Sequence, residues 1–375
     1  MTGRPLYRRN PDLLLEWDED AGAVLVDCLR WRKFSAKAPL VDLLHHLDGP
    51  LSAEEAHARW QGAEDAEDTG DTAGVEGTRK LLVRLAAAGI VQRCDKEHEK
   101  EGEEGDGAPV RGRGSGLTRY ELAAHAQAAR GPVPHARQGP PPPARLRHPG
   151  TTATVPLPED PGPPSRPLSR VLEQRRSVRE FAPEPVPLAL VAAVLDRSAR
   201  VRGYLPPRAY EQTQRAAPSG GGRHSLEVYL LARDVGGLDS GAYHYDPFAH
   251  ALHRLSPWSD NLSDLQDRVL TTPALMAAPP PAGLYLTSRA ARTGWKYEGM
   301  ALSLIYRDTG CLMQTMCLAA TDLGLASCLT GRMEAPPTAP FLPPDEHDVL
   351  HVGNLALGLP SPSPSVPVPA PEADG

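Results

Sequence analysis

Lys296 and Tyr297 stand side by side at the head of a long apolar stretch that closes at Leu323-Gly324-Leu325. An amine held against apolar side chains is desolvated, which favours its neutral form and lowers its pKa towards neutrality. Such a lysine can take a proton from carbon, and the adjacent phenol can orient it or share the proton. The plainer alternative is a surface lysine at a helix start beside a packing tyrosine, although a cation there opposes the helix dipole. A second group is Arg175-Arg176-Ser177-Val178-Arg179. Guanidinium groups grip a phosphate monoester, which carries close to two negative charges, through forked, charge-assisted hydrogen bonds. A solvated basic helix end would also account for them. The third group is Pro218-Ser219-Gly220-Gly221-Gly222. Residues this small let backbone approach a planar ring closely, but a plain loop can have the same composition.

These groups need elements to hold them. Leu168–Gln174 leads into the arginines, and the apolar run Leu226–Leu231 reads as a buried strand after the glycines. Gly241–Pro247 and Ala251–Leu255 read as a hairpin with its turn at Asp246-Pro247. Tyr297–Leu323 reads as one helix buried on most sides, as at a core or a dimer interface, with Tyr306-Arg307-Asp308 its main polar break. Gly324 then turns the chain into a strand ending at Leu329-Thr330-Gly331.

Residues 1–94 read as a separate small unit. Leu13–Trp17 and Ala23–Cys28 flank an acidic turn, and Trp31–Phe34 suggests a third strand. Pro39–Leu47 carries a helical stripe, Ser52 caps a second helix, and Gly77–Ala88 forms a third before the short strand Gly89–Gln92. Strands, then helices, then a strand is a winged-helix-like order. Few basic residues and a crowd of acidic ones between Glu54 and Asp68 make a poor phosphate-binding surface, so charge favours peptide over DNA. Addition of a peptide strand to the sheet edge is the expected mode. Residues 95–116 read as a flexible linker, 131–167 as a Pro-rich extended segment and 361–375 as a disordered tail.

The net charge of −7 gives no pull towards nucleic acid or anionic membrane, and no apolar run is long enough to span a bilayer. The cysteines Cys28, Cys94, Cys311, Cys317 and Cys328 show no CxxC spacing, which argues against a metal site or disulfide framework. A reduced, cytoplasmic protein is expected.

The three chemistry-bearing groups together resemble the nitroreductase-type flavin scaffold, over about Leu117 to Leu359. With the Lys-Tyr pair and the hairpin, they more narrowly resemble its streptolysin-type (SagB-type) branch, the azoline dehydrogenases of ribosomal peptide maturation. Tyr120, Glu121 and His125 resemble that branch's opening segment, and residues 117–360 form the matching domain. The resemblance implies an α+β fold whose central, mostly antiparallel sheet is flanked by helices. It implies FMN as cofactor and a homodimer with flavins between subunits. It assigns Arg175, Arg176, Ser177 and Arg179 to the phosphate and ribityl chain. Pro218, Ser219, Gly220 and Gly221 would pass beside the isoalloxazine ring, and Leu329, Thr330 and above all Gly331 would approach its N5 and O4. His224 also matches, with Ser225 where the family usually has proline. Lys296 and Tyr297 would be catalytic. Many relatives place a basic residue after the final strand, near the phosphate. This chain has no Lys or Arg after Gly358, so either the three arginines suffice or flavin affinity is reduced.

The implied reaction is oxidation of thiazoline or oxazoline rings in a precursor peptide to thiazole or oxazole. Its implied partners are the leader-bearing peptide and cyclodehydratase proteins. Two alternatives stand beside it: an NAD(P)H-dependent nitroreductase or quinone reductase, and a non-catalytic leader-binding scaffold.

Overall fold

The computed structural model describes residues 4–61, 72–94, 117–132, 139–159, 165–206, 210–343 and 348–361. The segment 95–116 and the tail beyond residue 361 lie outside the described residues, as do parts of 131–167. The chain divides into two units, Met1–Arg130 and Gly131–Gly375.

In the first unit, Leu13–Asp18, Gly22–Asp27 and Arg32–Ser35 form an antiparallel three-stranded sheet. Helices Ala38–His46, Ala53–Gln61 and Thr72–Ala88 follow. Ser52 and Glu55 close a capping box, each side chain meeting the other's backbone N–H. The third helix begins ahead of Gly77 despite the weak helix formers there. Val91–Cys94 pairs with Leu6–Arg9, a strand that the sequence reading left out. Leu-Tyr-Arg-Arg has too little apolar alternation to announce a strand; of the four, only Tyr7 is buried. The helix Arg119–Ala129 groups with this unit, whereas the sequence reading placed it at the start of the second.

In the second unit, seven strands form one sheet. Their order is Ala326–Thr330, Val349–Gly358, Ala282–Arg289, Leu226–Ala232, Gly241–Asp246, Ala251–Pro257, Ala153–Pro156. Every neighbouring pair is antiparallel. Side chains alternate between faces. Leu230, Leu284, Leu286 and Leu355 join helices Leu188–Ala199 and Ala301–Asp322 in one core cluster. Tyr229, Leu231, Tyr285 and Ala356 join Leu262, Leu265, Val269 and Leu270 in another. With both faces covered, the central strand Leu226–Ala232 is buried throughout, which is why its sequence is a run and not an alternation. This is the expected α+β sheet flanked by helices. The edge strand Ala153–Pro156 comes from the Pro-rich segment, where proline suits an edge that lacks a further partner.

One expectation fails here. Tyr297–Leu323 is not a single helix: Ala290–Tyr297 ends before Glu298, and a new helix runs Ala301–Asp322. Gly299 takes φ +83°, a conformation open to glycine, and reorients the chain between them.

Candidate functional site

The short helix Ala290–Tyr297 is pinned from inside. Arg292 is 2 % exposed and sits 2.6 Å from Glu227 on the central strand. Its guanidinium also donates to the carbonyls of Pro143 (2.8 Å) and His224 (3.3 Å). Glu227 is shared with His244 Nε2 at 2.8 Å. Burial alone would raise the Glu227 carboxyl, but Arg292 and His244 outweigh it and pull the pKa down to about 2. One turn beyond Arg292, Lys296 emerges from the last turn of the helix. A cation there is favoured by the helix dipole, the reverse of the expectation for a lysine at a helix start.

The Lys296 ammonium donates a hydrogen bond to the Tyr210 hydroxyl. It also lies 4.9 Å from the ring centre of Tyr210 and 4.8 Å from that of Tyr297. Burial would lower its pKa, but hydrogen bonding to Tyr210 and Tyr297 outweighs that and raises it above the ordinary lysine value. The expected depression towards neutrality is therefore overturned: two phenols stabilise the charge more than partial burial opposes it.

The glycine turn meets this pair. Gly220–Gly222 forms a tight 3-10 turn in which Gly221 has φ +62°. A Cβ on Gly221 would lie 2.6 Å from the Tyr297 hydroxyl and 3.2 Å from Lys296 Nζ. Glycine is thus favoured by backbone conformation, and a side chain there would displace the Lys296 and Tyr297 ends. Asp308 holds the turn from the long helix. It accepts from the Ser219 hydroxyl at 2.6 Å and from the Gly220 N–H at 3.0 Å, while His224 N–H donates to Ser219 Oγ at 2.9 Å. Burial raises the Asp308 carboxyl, partly offset by these bonds. Ser219 and Gly220 are therefore committed to shaping the turn. Pro218 lines a small cavity with Ser198, Arg215, His224 and Leu312.

The arginine segment runs beside Ala326–Thr330, with Val178 N–H donating to Ser327 O at 2.9 Å. Arg179 Nε donates to Ala274 O at 2.8 Å. Among the described residues, no carboxylate pairs with Arg175 or Arg176, which leaves the two guanidinium groups open to an anion, while Ser177, exposed beside them, meets the Cys328 thiol. Thr330 donates to Val269 O at 2.6 Å and receives Asn354 Nδ2 at 3.3 Å, so its hydroxyl is structural. Leu329 packs on the core, and Gly331 is exposed. Just beyond Gly331 opens a groove of about 890 Å³, lined among others by Leu302, Tyr306, Met333, Glu334, Pro336 and His351. That size is in the range of small-molecule and cofactor sites.

The long helix separates the two groups. Leu302 and Tyr306 line the groove, whereas Leu304 contacts Gly220 and Asp308 bonds to it. A two-residue step turns about 200° around a helix, so groove and glycine turn lie on opposite faces. One group therefore unites Lys296, Tyr297 and Pro218–Gly221. The other sets Arg175–Arg179 beside the strand Ala326–Thr330, from which the chain runs on through Gly331 to the groove lining at Met333. Among the described residues, no hydrogen bond or ion pair joins the two groups. Sequence reasoning missed Tyr210, Arg292, Glu227 and His244, and read Asp308 only as a polar break. A lone carboxylate inside an apolar helix was a usable signal; Tyr210 gave none. Among the described residues, no cluster could hold a metal ion and no helix is long and apolar enough to cross a membrane.

Residues 172–353 match the sequence pattern of the Nitroreductase family. The nitroreductase-family protein MJ1384 of Methanocaldococcus jannaschii is 29% identical over 167 residues, covering 44% of this chain and 78% of that protein. The trifolitoxin-processing protein TfxB of Rhizobium leguminosarum bv. trifolii is 32% identical over 117 residues, 31% of each chain. Among solved structures, a chain of the E. coli microcin synthetase McbBCD complex with truncated pro-MccB17 aligns at TM-score 0.41 and 20% identity. The alignment covers 50% of this chain and 70% of that one. A nitroreductase from Desulfovibrio desulfuricans in complex with FMN aligns at TM-score 0.34 and 18% identity, covering 53% and 88%.

Proposed function

We propose that this chain, whose residues 172–353 match the Nitroreductase family, is an FMN-dependent dehydrogenase that oxidises azoline rings in a ribosomally made peptide. The observation that carries this reading is the meeting of Lys296, Tyr297 and Tyr210 around Gly221. Reduction of a nitroarene or quinone by nicotinamide needs no such proton-handling group. Formation of an azole does, because the ring loses a hydride and a proton together. The name of the trifolitoxin-processing relative supports a peptide substrate.

FMN, when bound, would accept the hydride. Arg175 and Arg176, with no carboxylate partner among the described residues, fit a phosphate, with Ser177 and Arg179 beside them. The groove past Gly331 fits a planar ring. The protein's own residues manage the proton. Lys296 rests as an ammonium. To act as base it must first release its proton, and the adjoining phenols offer the path. Its protonated form then restores the same contacts after the ring is aromatised. Because groove and Lys-Tyr group lie on opposite faces of Ala301–Asp322, the working site is composed from two copies, one supplying groove and arginines and the other the lysine. We place the precursor peptide and its cyclodehydratase as partners, and the residue 1–94 unit as the holder of the leader.

The test is to load the protein with FMN and add a peptide bearing one thiazoline. Loss of two hydrogens from the peptide is expected. An unchanged peptide, with brisk NAD(P)H-dependent reduction of a nitroarene, would favour the nitroreductase alternative.

A further inference from the structure

We propose that Tyr210 is the third member of the Lys-Tyr group, a positioning residue whose hydroxyl accepts from Lys296 and holds that nitrogen against Gly221. This rests on the reading of Lys296 as the proton-handling group. Tyr210 lies far from the Lys-Tyr pair in sequence but is itself well ordered by its surroundings. It is 8 % exposed. The Arg223 guanidinium lies over its ring at 5.1 Å, and the Trp295 ring meets it edge-on at 5.7 Å. Arg223 is fixed in turn by three carbonyls, those of Arg292 (2.9 Å), Glu211 (3.0 Å) and Pro142 (2.9 Å). The phenol is therefore an acceptor set between two cations, Arg223 over its ring and Lys296 at its hydroxyl.

The titratable and charged groups facing this pair are Tyr297 from the lysine's own helix, Arg223 from the glycine turn, and Glu211 next to Tyr210 in the chain. None is a carboxylate bonded to Lys296. Among the described residues the nitrogen is held by phenols, which accept a hydrogen bond without pinning the charge as an ion pair would. A lysine paired with a carboxylate would lose its proton far less readily. Hydrogen bonding to Tyr210 still raises the Lys296 pKa, so removing the hydroxyl must lower it.

Tyr210→Phe keeps the ring under Arg223 and against Trp295 and removes only the acceptor. The readout is the pH dependence of amine-reagent labelling at Lys296, followed by peptide mass mapping on the FMN-loaded protein with no substrate present. In the variant the midpoint is expected to fall, so that Lys296 is labelled several-fold more at a given pH on the rising limb. Flavin content stays unchanged, kcat for ring oxidation falls, KM holds, and the pH optimum moves down. An unchanged labelling midpoint would overturn the role of Tyr210. If the midpoint shifts while the wild-type protein oxidises no azoline, positioning stands and the azoline reading falls.

Discussion

At the residue scale, the Lys296 environment decides the chemistry. Its ammonium is held by phenols and lies in the last turn of its helix, where the dipole favours it. Lys296→Ala removes the proposed proton acceptor without touching the arginines or the groove. Azole formation is expected to fall about 10²–10⁴-fold, the usual worth of a positioned base, with flavin content unchanged. Full activity in that variant would exclude Lys296 as the base. Arg175→Ala combined with Arg176→Ala is expected to do the opposite. It removes charge-assisted bonds worth about 1.5–3 kcal/mol each, so FMN binding weakens about a hundredfold or more. A fluorescence titration with FMN measures this, and an unaltered Kd would refute the phosphate assignment.

At the element scale, the buried group Arg292–Glu227–His244 ties the lysine's helix to the central strand. Glu227→Gln leaves Arg292 buried and unpaired, at a cost of about 3–5 kcal/mol. Denaturant melts would show this, and a loss below 1 kcal/mol would mean that the ion pair does not anchor the helix. The pH sign follows from the lowered Glu227 pKa. The unfolded carboxyl, near its ordinary value of 4.5, binds a proton before the folded one at about 2 does. The ion pair's contribution is fully present above that ordinary range and is lost as pH falls towards 2. Glu227→Gln should flatten that acid limb. None of this could be read from Arg292 and Glu227 in sequence, because only the register of Leu226–Ala232 in the sheet places Glu227 under the helix. The glycine turn was legible as a turn, since Gly221 takes a positive φ that favours glycine locally, but its meeting with Lys296 and Tyr297 was not. Nor was the break at Glu298–Met300. The apolar pattern continues across it, and a single Gly299 rarely outweighs such a pattern.

At the scale of the whole molecule, Leu226–Leu231, the hairpin and the strand ending at Gly331 were legible from runs and turns, which depend on near neighbours. Ala282–Arg289, Val349–Gly358 and Ala153–Pro156 were not, and the sheet joining them came from the resemblance. The partition of the site was not legible either. It depends on which side of Ala301–Asp322 each loop packs, a matter of tertiary contacts around Leu302, Leu304, Tyr306 and Asp308. If two copies compose each site, mixing Lys296→Ala protein with the Arg175→Ala, Arg176→Ala double variant should restore activity that neither has alone. The hybrid carries one site with both defects and one with none. Exchange of subunits without any recovery would contradict a shared site.

The central claim is that this protein takes a hydride and a proton from an azoline. The most direct measurement mixes FMN-loaded protein, without oxygen, with a peptide bearing one thiazoline, and follows peptide mass and flavin absorbance together. Each peptide that loses two hydrogens is expected to bleach one flavin, and Lys296→Ala is expected to do neither. Flavin that stays oxidised while the peptide mass is unchanged would contradict it.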